Sequence, residues 1–191
     1  MDSTLPAEVR AADLLRQMNI RQKVGQLTMA DASQLILPAD IAELGLGSLL
    51  EGGDDRPATN TPQGWADAFD AWQRSALSAR LPIPLLLGVD SVHGFSHAVG
   101  TTIFPHNIGL GATRDPKLVE EIGRVTASEM AAAGARWNFS PCLAVVRNER
   151  WGRTYESFGE TPDLVSDMAV MVRGLQGASL SLPTSVLATA K

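Results

Sequence analysis

One stretch constrains this chain more than any other: Ile83 to Val89 (IPLLLGV) is apolar without interruption and ends in Asp90. A strand with one wet face alternates apolar and polar residues, whereas a parallel strand covered on both faces reads as a continuous apolar run. Two further segments have the same character, Leu44 to Leu50 (LGLGSLL) and Trp137 to Val146 (WNFSPCLAVV), and a fourth, Ser185 to Ala190 (SVLATA), ends at Lys191. Helical patterns lie between them. Thr61 and Pro62 mark a helix start, after which Trp65, Phe69, Trp72 and Ala76 share one face. Asp115 caps a helix that begins at Pro116, carries Leu118, Val119, Ile122, Val125 and Met130, and closes at Gly134. Thr161 and Pro162 open a third helix with Leu164, Val165, Met168 and Val172. Before all of these, the first thirty residues read as a lead-in helix pair, with Asn19 and Gln22 spaced as a capping box.

Strand then helix, repeated with apolar strands, predicts a parallel α/β architecture, because parallel strands require crossovers that cover the sheet. At 191 residues the chain suffices for an open doubly wound sheet or for half of a closed (β/α)8 barrel, which takes about 250 residues in full. Periodicity leaves both open. Composition narrows the function: the net charge of −5 is spread without basic runs, which argues against a nucleic-acid partner. Cys142 is the sole cysteine, so an internal disulfide and a multi-cysteine metal site are excluded, and a small buried hydrophobe is expected. No apolar run approaches membrane-spanning length, and Asp2, Ser3 and Thr4 do not begin a signal peptide. Compartment stays open.

Three longer segments are far more specific: GVDSVHG (Gly88 to Gly94), TIFPHNIGLGATRDP (Thr102 to Pro116) and NFSPCLAVVRNERWGRTYESFGE (Asn138 to Glu160). Together, and in this order from KVGQ (Lys23 to Gln26) to LATAK (Leu187 to Lys191), they resemble the family 3 glycoside hydrolases, in the β-glucosidase and exo-glucanase branch. The resemblance implies the N-terminal half of a (β/α)8 barrel of about four β/α units, with residues 1–30 as lead-in helices and 31–191 as the first half of the barrel. It implies hydrolysis of terminal β-D-glucosyl residues by the intact parent, without metal or organic cofactor; family members are often periplasmic or secreted. A β-N-acetylglucosaminidase of the same family is the nearest alternative.

By the same resemblance, Asp90 corresponds to an aspartate that binds sugar hydroxyls, Arg153 to a sugar-contacting arginine, and Lys191 to the lysine of a Lys-His pair. Their chemistry suits the task. An ionised carboxylate accepts from two neighbouring hydroxyls, and cationic side chains donate to others, with charge-assisted bonds of roughly 1.5–3 kcal/mol each. Each also has a structural reading: Asp90 as a turn cap, Arg153 paired with Glu149 or Glu156, Lys191 as a frayed end.

A retaining glycosidase needs two carboxylates about 5–5.5 Å apart, which the resemblance places beyond Lys191; no catalytic residue is therefore expected in these residues, and the isolated chain is expected to be inactive. Glu156 and Glu160 would share a face if helical, but Arg147, Arg150 and Arg153 surround them, and a carboxyl held down by arginine suits no general acid. His93, His97 and His106 lack the glutamate of a zinc-protease motif, so they are expected to hold loops, with no metal. Trp65 and Trp72 should face a core, Trp137 lie in a strand, and Trp151 pack beside the pocket. Two other functions remain in view. A non-catalytic sugar-binding remnant would rely on Asp90 and Arg153 alone. A nucleotide-binding domain would need a full glycine fingerprint, and neither Gly45, Gly47 and Gly52 nor Gly109 and Gly111 supply one. Open sheet edges predict either homo-oligomers or pairing with the missing half of the barrel and the following domain.

Overall fold

A computed structural model describes residues 4–35, 37–51 and 56–191. The chain forms two compact units, Met1–Leu50 with Asp70–Leu86, and Glu51–Phe69 with Leu87–Lys191.

The first unit opens with helices α1 (Ala7–Gln17) and α2 (Ile20–Leu27). The expected capping box starts α2: Asn19 Oδ1 accepts from the Gln22 amide at 3.0 Å, and Gln22 Oε1 accepts from the Asn19 amide at 3.1 Å. Strand β1 (Met29–Asp31) follows, inside a region whose apolar residues had suggested only helix. Helix α3 (Ala39–Leu44) then ends on Gly45, whose φ of 63° is left-handed, so the segment LGLGSLL begins as a helix terminus. Its strand, β2 (Ser48–Glu51), starts four residues later than the apolar run and pairs parallel with β1, Ala30 opposite Leu49. Leu46, Leu49, Ile41, Ala76 and Leu85 form this unit's buried core. The Gln73 amide clips the extended Leu85 backbone, accepting at 3.0 Å and donating at 2.6 Å.

Helix α4 (Pro62–Leu77) brings its first half into the second unit. Gly64 N–H donates to Thr61 Oγ1 at 3.2 Å, the expected N-terminal cap. Trp65 and Phe69 are fully buried; the Trp65 ring meets Phe95 edge-on at 5.9 Å and donates from Nε1 to Asn60 Oδ1 at 2.8 Å. An aromatic pair of this kind adds about 0.5–1.5 kcal/mol to simple burial. Trp72 is only half buried, which differs from the core position its spacing suggested.

The second unit continues with β3 (Leu86–Val89), α5 (Asn107–Thr113), α6 (Pro116–Ala132), β4 (Trp137–Asn138), α7 (Pro162–Met168), α8 (Met171–Gln176) and β5 (Leu187–Ala188). Strands β3, β4 and β5 pair in parallel, with Val89 opposite Asn138 and Asn138 opposite Ala188. The Asp115 carboxylate caps α6 by accepting from the Lys117 and Leu118 amides, as expected. Val119, Ile122 and Met130 of that helix are buried, whereas Leu118 is exposed. The third expected helix is two short ones, because the chain turns through Ala169 and Val170 between α7 and α8. Helix α8 lies against α6 at bare backbone: a Cβ on Gly174 would stand 2.1 Å from the Glu120 carbonyl oxygen. Glycine there lets two helix backbones touch.

Among the described residues the elements give, in chain order, four β/α units and a fifth strand. Strands are shorter than the apolar runs that announced them. The ten-residue run from Trp137 yields a two-residue strand, because Pro141 has no N–H to donate to a ladder. Beyond Asn138 the extended chain still bonds to the segment after β5: Thr189 N–H donates to Ser140 O at 3.0 Å and Lys191 N–H to Pro141 O at 3.0 Å. Cys142 beside it is buried and free, as its lone occurrence implied.

Candidate functional site

Asp90 follows the last residue of β3, and Lys191 lies three residues past the end of β5. Both therefore sit at the C-terminal ends of parallel strands, the end at which barrel enzymes assemble their sites. The structure brings them together, with Lys191 Nζ donating to Asp90 Oδ1 at 2.9 Å. The second oxygen-bearing neighbour of that ammonium is Glu156, whose Oε2 lies 3.9 Å from Nζ. Arg153 completes the row by a two-pronged pair with Glu156, Nε to Oε1 and Nη2 to Oε2, each 2.6 Å. Asp90, Lys191, Glu156 and Arg153 thus alternate in charge.

Exposure separates their roles. The Glu156 side chain is only 8% exposed, against 50% for Arg153, 29% for Lys191 and 44% for Asp90. A buried carboxylate needs its charge matched; the three others retain surface on which to meet a ligand. Arg153 does pair with Glu156, as its structural reading held, yet half of its side chain remains accessible. Lys191 is not frayed: besides its ion pair, its carbonyl accepts from the Leu143 amide at 2.6 Å.

Burial pushes the Glu156 carboxyl up, but the hydrogen bonds and charge of Arg153, with Lys191 and His106 behind them, outweigh this and leave it below the ordinary glutamate value. It is held ionised, so it makes a poor proton donor. Glu160 is exposed beyond the short 3-10 helix Thr154–Glu156, so the two glutamates share no α-helical face.

His93, His106 and Tyr155 form a chain of ring contacts, of which His106 is near enough to Glu156 for their charges to interact. The rings of His93 and His106 stand 4.0 Å apart, and Tyr155 meets His106 edge-on at 4.6 Å. His93 Nδ1 is 2.6 Å from the Phe104 carbonyl oxygen, tying the loop after Asp90 to the loop before α5. Burial, followed by the charge of His93, lowers the His106 pKa against the opposing pull of Glu156. Trp151 is exposed.

Both shifts have the same sign in stability. A folded-state pKa below the unfolded one means the folded state binds fewer protons, so the stabilisation is complete at high pH and is lost as pH falls. Stability should therefore decline as pH falls from the ordinary histidine value to the lower one His106 has in the fold, and again, at more acid pH, from the ordinary glutamate value to the lower one of Glu156. Urea unfolding at stepped pH should show the lower decline shrink in Glu156→Gln; an unchanged profile in that variant would contradict the pairing.

Two buried asparagines that carry no sequence signal of their own set the backbones beneath these groups. Asn138, the last residue of β4, accepts from Ser91 N–H with Oδ1 and donates to Ser91 C=O with Nδ2, both at 3.0 Å. Asn107, at the start of α5, donates from Nδ2 to the Glu156 carbonyl at 2.8 Å. Among the described residues, no group of three or more His, Cys, Asp or Glu side chains converges as metal ligands would.

Residues 19–191 match the glycosyl hydrolase family 3 N terminal domain. The chain belongs to that family. It is 33% identical to the lysosomal beta glucosidase of Dictyostelium discoideum over 88% of this chain and 23% of that protein. It is also 33% identical to the periplasmic beta-glucosidase of Salmonella typhimurium, over 94% of this chain and 22% of that one. Among solved structures, the exo-1,3/1,4-beta-glucanase of a Pseudoalteromonas species superposes with a TM-score of 0.88 at 41% identity, covering 96% of this chain and 24% of its own. The beta-glucosidase of Listeria innocua in complex with isofagomine gives 0.76 at 28%, covering 98% and 26%. The chain thus spans about a quarter of the length of these relatives. Its α/β class, with parallel strands of the TIM-barrel kind, is that of the family.

Proposed function

We propose that this chain supplies the sugar-gripping part of a β-glucosidase that removes terminal β-D-glucosyl residues from β-glucosides or short glucans. The observation that carries the reading is the alternating row of Asp90, Lys191, Glu156 and Arg153 at strand ends. It offers an ionised acceptor and two cationic donors with accessible surface around one buried counter-charge. A glucosyl ring presents neighbouring hydroxyls that both accept and donate, which such an arrangement matches. Its relatives named as beta-glucosidases support the substrate class.

In this reading Asp90 accepts from two adjacent hydroxyls, while Arg153 and Lys191 donate to their oxygens. Glu156 touches no sugar; it keeps the two cations turned toward the ligand. Glu156, held ionised by Arg153, suits no general acid, and with both its oxygens bonded to that guanidinium it is not free to attack a sugar; in this reading the nucleophile and the acid/base are supplied from outside these residues. The native protein that carries this chain should release glucose from a chromogenic aryl β-glucoside. No release, with turnover of the matching N-acetylglucosaminide instead, would replace this reading with the alternative hexosaminidase one.

A further inference from the structure

Asn138 occupies an unusual place for a polar residue. It is fully buried on β4, in register between Val89, whose successor is Asp90, and Ala188, three residues before Lys191. The Asp90–Lys191 ion pair therefore joins the two strands on either side of the one that holds Asn138. An apolar side chain would fill such a position without cost, whereas a buried amide is destabilising unless its hydrogen bonds are made. Asn138 makes two, and both go to the backbone of Ser91.

Their effect is local. Ladder bonding from β3 ends when Val89 C=O accepts from Phe139 N–H at 3.0 Å, and Asp90 is the next residue. The amide of Asn138 then takes over as a side-chain ladder rung, fixing Ser91 immediately after it. Asp90 is thus pinned on both sides along the backbone, while its carboxylate is bonded by Lys191. Parallel strands lie about 4.8 Å apart, so small changes in the Asp90 backbone decide whether its carboxylate reaches Lys191 across β4.

We propose that Asn138 is a positioning residue for Asp90: its two-way amide clip on Ser91 sets the carboxylate at the place where sugar hydroxyls bind. This rests on the sugar-binding reading of Asp90. Loss of the clip frees Ser91, and a misplacement of about 1 Å costs roughly 100-fold in rate.

A double-mutant cycle on the native protein, read as kcat/KM on a chromogenic β-glucoside, tests this directly. Asn138→Ala alone should lower kcat/KM roughly 10- to 100-fold. In the Asp90→Ala background the same change should have almost no further effect, because residues acting through one another are not additive. A purely structural asparagine would instead multiply the two losses, and that result overturns the proposal. Asn138→Ser also removes the two-way amide clip but leaves a small neutral polar side chain in the buried site; the cycle is repeated with it should Asn138→Ala fail to melt cooperatively. Failure of both variants to fold would make Asn138 a folding residue and also overturn the proposal. If Asp90→Ala by itself leaves kcat/KM unchanged, the sugar-binding reading falls instead, which separates the two failures.

Discussion

Asp90→Ala is expected to lower kcat/KM for an aryl β-glucoside by about two to four orders of magnitude while leaving the folded state almost as stable. The size follows from two charge-assisted bonds of about 1.5–3 kcal/mol each, at about 1.4 kcal/mol per factor of ten. The small stability effect follows from the surroundings. The Asp90 side chain is nearly half exposed, and exposed ion pairs contribute about 0–1 kcal/mol. Lys191 still has Glu156 within 3.9 Å when Asp90 is gone, so no cation is stranded. Asp90→Asn should fall between, since it keeps the shape and one acceptor but loses the charge. Steady-state kinetics and a thermal melt on the native protein check both halves. A loss below tenfold would mean that Asp90 grips no sugar; a collapse of stability would mean that its role is structural.

Gly111→Ala is expected to cost about 3 kcal/mol or more, above the usual 1–3 kcal/mol of overpacking. A Cβ there would stand 1.8 Å from the Phe158 carbonyl oxygen and 2.7 Å from its carbon. Both are backbone atoms, so no rotamer change relieves them. Helix α5 would have to move off the segment it supports, and that segment carries Glu156. Asn107, one turn earlier on the same helix, donates to the Glu156 carbonyl, so the displacement should reach the Arg153 pair and lower activity as well. Gly109→Ala is the internal control. It lies in the same short helix with nothing closer than Pro105 Cβ at 3.5 Å, and alanine in a helix is favoured over glycine by about 0.5–1 kcal/mol. Urea unfolding should show the first variant strongly destabilised and the second unchanged or improved. Equal behaviour of the two would refute the close packing of α5.

Helix starts were readable because capping chemistry is local. Asn19 with Gln22, Thr61 before Gly64, and Asp115 before Lys117 each satisfy free amides within a few residues. Strand extents were not, because a run such as IPLLLGV or WNFSPCLAVV says that a segment is buried and extended without saying which amides find a ladder partner. Strand β1 and helix α3 were missed for a related reason: three- and six-residue elements hold too few apolar positions to show a period. At the site, the resemblance pointed to Asp90, Arg153 and Lys191, and the fold joins them in one ionic row. Glu156 was legible as a partner of Arg153, three residues away, whereas its spacing from Glu160 misleads because the chain there is a single 3-10 turn. Asn138 and Asn107 left no trace in spacing or charge, since their work is done on backbone groups brought in from distant segments.

The decisive measurement is a crystal structure of the native protein with glucose bound. One sugar should lie within hydrogen-bonding distance of the Asp90 carboxylate, Lys191 Nζ and the Arg153 guanidinium, with Glu156 still paired to Arg153 behind them. Glucose seated elsewhere, or touching none of these three side chains, would contradict the account.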